Sequence, residues 1–312
     1  MDNVGKKFKA IMATENYAEN YRKLMDEVYA DPEVENFIES NRDALTDESI
    51  KKSASSLYEF VNKRNAMLNG KDTYAHGYEP KLVVNNHAIE VSYQPTQAYL
   101  TKVWERQIRD NIQDLGMSKA LQNANINDYY HEGNPARENA LVHALDFIDA
   151  YENNPQEYHK GFYIYGSFGV GKSYLLSAIA HRLANDNIKT TFLHFPSFAM
   201  DMKALINSKT DSVGNQVNRV KKVPVLMIDD IGADSMSAWI RDDILGVILE
   251  YRMQNQLSTF FSSNFSMEQL EKEHLAITAK GDFEPLKAKR LMERIKFLAT
   301  PIEVNGKNLR ND

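Results

Sequence analysis

The chain has 312 residues, 43% hydrophobic and 26% charged, with a net charge of −6. That is an ordinary globular composition, long enough for two domains and for a core that needs no covalent staples. Cysteine is absent, which excludes disulfides, thiolate metal sites and a cysteine nucleophile, and the acidic balance excludes a global basic field for nucleic acid.

The N-terminal stretch lacks the apolar core of a signal peptide and no run reaches membrane-span length, so a cytoplasmic protein with no membrane partner is expected. Through residues 1–70, KLMDEVYA and ENFIESNRDAL place apolar residues at helical three- and four-residue spacing. Asp31 before Pro32 predicts an N-cap and a first-turn proline. Thr46 with Ser49 opens a polar stretch, and SSLYEFVNKRNAML closes the helical block. KLVVNNHAIEVSYQP then predicts a hairpin of two short strands around Asn85-Asn86, ended by Pro95. Residues 1–100 are thus expected to form a small, mainly helical α+β domain.

Residues 101–136 are polar and helix-prone up to EGNPAR, and read as a helical linker. ENALVHALDFIDAYENN reads as an amphipathic helix opening a second domain over 137–312. From Gly161 onward strands alternate with helices: GFYIYG, YLLSAIAHRLA, TTFLHF, a helical stretch, VPVLMI, WIRDDILGVILEYRM, TFFSS. Such alternation predicts an α/β fold, a parallel sheet with helices on both faces.

GSFGVGKS, comprising Gly166, Ser167, Phe168, Gly169, Val170, Gly171, Lys172 and Ser173, has the spacing G-x-x-x-x-G-K-[ST] between a strand and a helix that begins with Tyr174. Glycines let backbone N–H groups close around phosphates, and the helix adds its positive end. A plain glycine turn would explain the glycines but not a lysine at this position. Lys172 is expected at the β/γ-phosphates of ATP and the Ser173 hydroxyl on Mg²⁺.

VLMIDDIG ends an apolar strand in two acids, at the sheet edge where ligands of open α/β sheets bind. Asp229 is expected to hold Mg²⁺ and Asp230 to orient or deprotonate a water; two aspartates capping a strand in a turn is the plainer alternative. TFFSSN turns polar at its end, and Asn264 is either a water-holding residue or an ordinary loop asparagine. In KAKRLMERIKFL, Arg290 and Arg294 share a helical face. They are either a solvated basic face or a source of an arginine reaching a neighbouring subunit's γ-phosphate. RVKKV, with Arg219, Lys221 and Lys222, preceded by Lys203 and Lys209, is either a solvated helix and loop or a local contact for single-stranded DNA. A second basic stretch runs from Lys280 to Arg310.

Together GSFGVGKS, LMIDDIGAD, WIRDDILG, SSNF, RLMERI and the ending NLRND resemble the AAA+ ATPases, and more narrowly the DnaC/DnaI-type helicase loaders. The resemblance covers the whole chain and is strongest from Gly161 onward. It implies an N-terminal domain that grips the replicative hexameric helicase and a C-terminal ATPase that binds single-stranded DNA and assembles side by side. It assigns Lys172 and Ser173 to Walker A, Asp229 and Asp230 to Walker B, Asn264 to sensor 1, and Arg294, or else Arg290, to the arginine finger.

Asp230 stands where most AAA+ proteins have glutamate, which implies slow hydrolysis. The short sequence after RLMERI leaves no room for a full helical lid. Family members can carry a cysteine-rich zinc site in the first domain; without cysteine, His76 and His87 alone do not make one, and no zinc is expected. The hairpin is then held by Leu82, Val84, Ile89, Val91 and Tyr93. Competing functions are a transposition-associated ATPase of the IstB type, a nucleotide-gated adaptor with little turnover, and a P-loop kinase of small molecules, for which no acceptor pocket is visible.

Overall fold

The computed structural model describes residues 17–70, 76–206 and 211–309; Lys209 and Arg310 lie outside them. The chain divides into two compact units, Met1–Trp104 and Glu105–Asp312.

In the first unit, helices α1 (Tyr17–Tyr29), α2 (Pro32–Ser40), α3 (Asp47–Lys52) and α4 (Ala54–Leu68) precede an antiparallel hairpin, β1 (Tyr78–Asn85) and β2 (Ala88–Pro95). Asp31 caps α2, accepting from the Glu33 N–H, with Pro32 in the first turn. Its carboxylate also takes a two-pronged contact from Arg64, at 2.8 and 2.5 Å; that contact holds the acid below the usual carboxylate range. Thr46 and Ser49 form a reciprocal capping box on α3. The hairpin turn is Asn86-His87, one residue later than Asn85-Asn86, because Asn85 pairs with Ala88. Both turn residues have positive φ, 47° and 61°, as a two-residue turn matched to strand twist requires.

Across the ladder Leu82 faces Val91 and Val84 faces Ile89. Ile89 is fully buried in the helical core, and Leu82, Val84 and Val91 pack against it. Tyr93 donates its hydroxyl to Glu59 at 3.0 Å. His87 Nδ1 lies 3.0 Å from the Ala44 carbonyl. Among the described residues no cluster of three metal-ligating side chains occurs.

Helix α5 (Gln97–Asn111) leads into the second unit. There a six-stranded parallel sheet has the order β3-β5-β6-β7-β4-β8. The strands are β3 (Ile112–Leu115), β4 (Gly161–Tyr165), β5 (Thr190–His194), β6 (Val225–Asp229), β7 (Thr259–Ser263) and β8 (Ala299–Glu303). Strand alternation sends Phe162, Ile164, Phe192, Met227 and Phe260 to one face, under α6 (Pro135–Asn153) and α7 (Lys172–Asn185). Tyr163, Leu193, Leu226, Ile228 and Phe261 go to the other. That face is covered by α8 (Phe195–Leu205), α9 (Val213–Lys222), α10 (Gly246–Gln254) and α11 (Pro285–Leu298). Cover on both sides explains why the central strands are apolar throughout rather than alternating.

Two strands escape the sequence pattern. The stretch 101–136, expected as a helical linker, supplies β3, a four-residue edge strand with polar Gln113 and Asp114 at its centre. β8 contains Pro301; as an edge strand paired only with β4 it tolerates a residue that cannot donate to a ladder.

Arg252, fully buried in α10, directs all its donors at Thr259 Oγ1 and at the carbonyls of Lys221, Val223, Pro224 and Ser258. It thereby fastens the start of β6 to the start of β7. Burial pulls its guanidinium down to about 9, still charged at neutral pH.

Candidate functional site

Strand β7 lies between β4 and β6. The loop after β4, the acids after β6 and the polar end of β7 therefore meet at one sheet edge. The chain leaves β4 through Gly166–Gly171, whose three glycines have φ of 149°, 75° and 96°, and enters α7 at Lys172. Val170 is buried and anchors the loop, whereas Ser167 and Phe168 are exposed.

The buried Lys172 ammonium donates to the Gly166 carbonyl at 2.9 Å, the Ser167 carbonyl at 2.8 Å and Asn264 Oδ1 at 2.8 Å. Asn264 in turn donates its Nδ2 to Asp230 Oδ1 at 3.1 Å. One asparagine amide thus joins the lysine of the glycine loop to the second acid of the β6 strand.

Asp230 has φ of 62°, a left-handed conformation that aspartate tolerates better than most residues. Its N–H donates to Ser262 Oγ at 3.0 Å, and that hydroxyl donates to Asp229 Oδ1 at 2.5 Å. Burial pushes the Asp229 carboxyl above the usual carboxylate range, outweighing the hydrogen bonds from Ser262 and Ser173 that pull it down. The Ser173 hydroxyl thus lies near enough to the Asp229 carboxylate to favour its charged form. Two hard oxygen donors side by side, one of them a carboxylate whose charge burial leaves under-compensated, fit Mg²⁺.

Several participants were invisible in sequence. Ser262 and Ser263 read only as the polar end of a strand, yet Ser262 bridges both aspartates and Ser263 Oγ donates to the Ile231 carbonyl at 2.7 Å. Tyr129 stacks on Tyr174, ring centroids 6.3 Å apart, and Tyr174 Oη donates to the Asn125 carbonyl at 3.2 Å. Tyr174 thus faces residues 125–129. The Tyr129 hydroxyl is buried without a partner among the described residues, and burial pushes it up to about 12.

Arg290 and Arg294 both lie on α11, in different surroundings. Arg294 pairs with Glu250 at 2.7 Å and donates to the Gly246 carbonyl at 3.1 Å. Arg290 is exposed and makes no ion pair among the described residues. The start of α11 is held by buried Arg241, which pairs with Asp242 and Glu284 at 2.7 and 2.5 Å, and Lys287 joins both acids.

At the end of α9, Arg219 pairs with Asp211, Lys221 lies over the Tyr251 ring at 4.9 Å, and Lys222 is exposed.

A glycine loop with its lysine after β4, two acids at the end of β6 and an asparagine just after β7, the strand between them, have the layout of an ATPase-type domain of the AAA+ kind. Residues 127–285 match the family model for the bacterial DnaA ATPase domain, and residues 1–93 that for the N-terminus of primosomal protein DnaI. The replicative helicase loader DnaI of Bacillus subtilis (strain 168) is 35% identical over 321 aligned positions, covering 100% of both chains. Among solved structures, that of a DnaI is 41% identical with a TM-score of 0.56, covering 65% of this chain and 98% of the other. A candidate primosome component from Streptococcus pyogenes serotype M3 is 39% identical with a TM-score of 0.53, covering 65% and 97%. The chain belongs to the DnaI family of replicative helicase loaders.

Proposed function

We propose that this chain binds the replicative hexameric helicase through residues 1–100 and delivers it to single-stranded DNA at initiation or restart of replication. Binding and slow hydrolysis of ATP in the second unit control the delivery. The observation that carries the ATPase half is the Lys172–Asn264–Asp230 connection, which pre-positions a phosphate-binding cation and a water-orienting carboxylate at one sheet edge. The N-terminal match to DnaI, together with full-length similarity to a helicase loader, carries the client half and disfavours a transposition-type ATPase.

The chain's residues act in order. The loop N–H groups and the α7 N-terminus receive the phosphates, and Lys172 exchanges a carbonyl partner for a phosphate oxygen. Ser173 and Asp229 would hold Mg²⁺, which neutralises charge on the phosphates when bound. Asp230, oriented by Asn264, accepts a proton from the attacking water, and its short side chain accounts for slow turnover. Arg290 and Arg294 lie on the helix offered to a neighbouring subunit in side-by-side assembly. Arg290, without an ion pair among the described residues, is the better placed to reach a γ-phosphate. Lys222, with Lys221 and Arg219, is the candidate DNA contact. Operation in the cytoplasm follows from the client.

Lys172→Ala tests the nucleotide site. It should lose ATP affinity by at least tenfold while the first unit keeps its helical signal. Parental affinity in that variant would refute the assignment.

A further inference from the structure

The segment after β8, Val304–Leu309, runs back along the phosphate loop. Val304 is buried and donates its N–H to the Tyr165 carbonyl at 2.8 Å. Its own carbonyl oxygen lies 1.9 Å from where a Cβ on Gly166 would stand. Farther on, Asn308 Oδ1 lies 1.8 Å from a Cβ position on Gly169, and the Leu309 N–H donates to the Gly169 carbonyl at 3.0 Å. Gly166 is thus needed for the backbone of this segment to approach, and not only for phosphates to do so, whereas at Gly169 the segment contributes a movable side-chain amide and a backbone hydrogen bond.

The segment is fastened from the other side by the start of α6. Asn134 caps that helix through Oδ1 and gives its Nδ2 to the Asn305 carbonyl at 2.8 Å. Arg137, 1% exposed, gives Nη2 to the Lys307 carbonyl at 3.0 Å and lies over the Tyr130 ring at 5.5 Å. Its charge has no carboxylate partner among the described residues; a backbone carbonyl and a ring hold it in place. A cation buried without a counter-charge carries a desolvation cost, so the contacts that hold Arg137 here fix the segment only by offsetting that cost.

We propose that Val304–Leu309 is a strap that sets the conformation of the phosphate loop, with Arg137 and Asn134 as positioning residues for nucleotide binding. This inference rests on the nucleotide-site reading above. By linkage, a strap that favours the binding-competent loop must itself be stabilised when nucleotide binds.

The test is amide hydrogen exchange on the full chain with and without ATP, paired with fluorescent-ATP titration of a chain ending at Val304 and of Arg137→Met. Nucleotide should slow exchange across residues 305–309 as well as 166–173. Both variants should bind ATP at least tenfold more weakly while melting cooperatively in its absence. Protection confined to 166–173 would overturn the strap, since reciprocal coupling requires nucleotide to stabilise the strap as well as the loop. So would parental affinity in either variant. If the shortened chain does not fold, Arg137→Met and the exchange of the parent decide. A parent that binds no ATP would refute the nucleotide site itself, and the strap with it.

Discussion

Asn264→Ala separates binding from chemistry at the site. The substitution removes an acceptor 2.8 Å from the Lys172 ammonium and a donor 3.1 Å from the Asp230 carboxylate. A hydrogen bond to a charged group contributes about 1.5–3 kcal/mol. Lys172 keeps two carbonyl acceptors on its own loop, so ground-state ATP binding should weaken by less than about fivefold, or about 1 kcal/mol. The Asp230 carboxylate is held by the Asn264 amide. Without that amide its orientation should relax, and the missing interaction is one needed in the transition state. At 1.36 kcal/mol per decade, that is about 10- to 100-fold in kcat. Single-turnover hydrolysis together with a fluorescent-nucleotide titration reads both numbers. A kcat within twofold of the parent, or a loss carried wholly by affinity, would refute the role given to Asn264.

Four further outcomes follow from the same geometry. Arg290→Ala should fold like the parent and lose the rise of turnover with protein concentration, a loss of up to ~10³-fold if the arginine serves a neighbour. Arg294→Ala, which also breaks the Glu250 pair, should lower the melting temperature; a concentration-dependent rate retained in Arg290→Ala moves the finger to Arg294. Asp229→Asn should abolish hydrolysis yet stabilise the protein. The folded-state pKa of Asp229 is raised by burial, so the folded form binds more protons and stability falls as pH rises from the ordinary carboxylate range through the raised value. The variant lacks that fall, and its melting temperature should exceed the parent's by about 2–4 °C per kcal/mol recovered at neutral pH, with the gap closing in acid. A gap independent of pH would contradict this. Replacing Lys221 and Lys222 together by alanine should flatten the salt dependence of single-stranded DNA binding by about 0.7 for each phosphate no longer neutralised, and an unchanged slope removes α9 from the DNA path.

The parts of the fold legible in sequence were those governed by local chemistry. Asp31-Pro32 signals a helix start because an acceptor and a fixed φ are needed there, and GSFGVGKS signals its loop because few other residues fit. The central strands were legible because burial on both faces demands apolar runs. The edge strands were not: one neighbour is enough to recruit Ile112–Leu115, and enough to accept Pro301. At the site, Lys172, Asp229 and Asp230 stood out by their type and spacing, whereas Ser262, Arg137 and the strap did not. Their roles depend on β7 lying between β4 and β6, and on the segment after β8 returning to Gly169, which are facts of topology and not of spacing. The hairpin turn slipped by one residue because Asn85, Asn86 and His87 all tolerate positive φ, and only strand register chose between them.

Size-exclusion chromatography with light scattering, on this chain mixed with the replicative helicase of its host with and without ATP, tests the loader function most directly. A co-eluting complex that disappears when residues 1–100 are removed is the predicted result. Absence of a complex in both nucleotide conditions, or a complex that survives that deletion, would contradict the assignment of the helicase grip to the first unit.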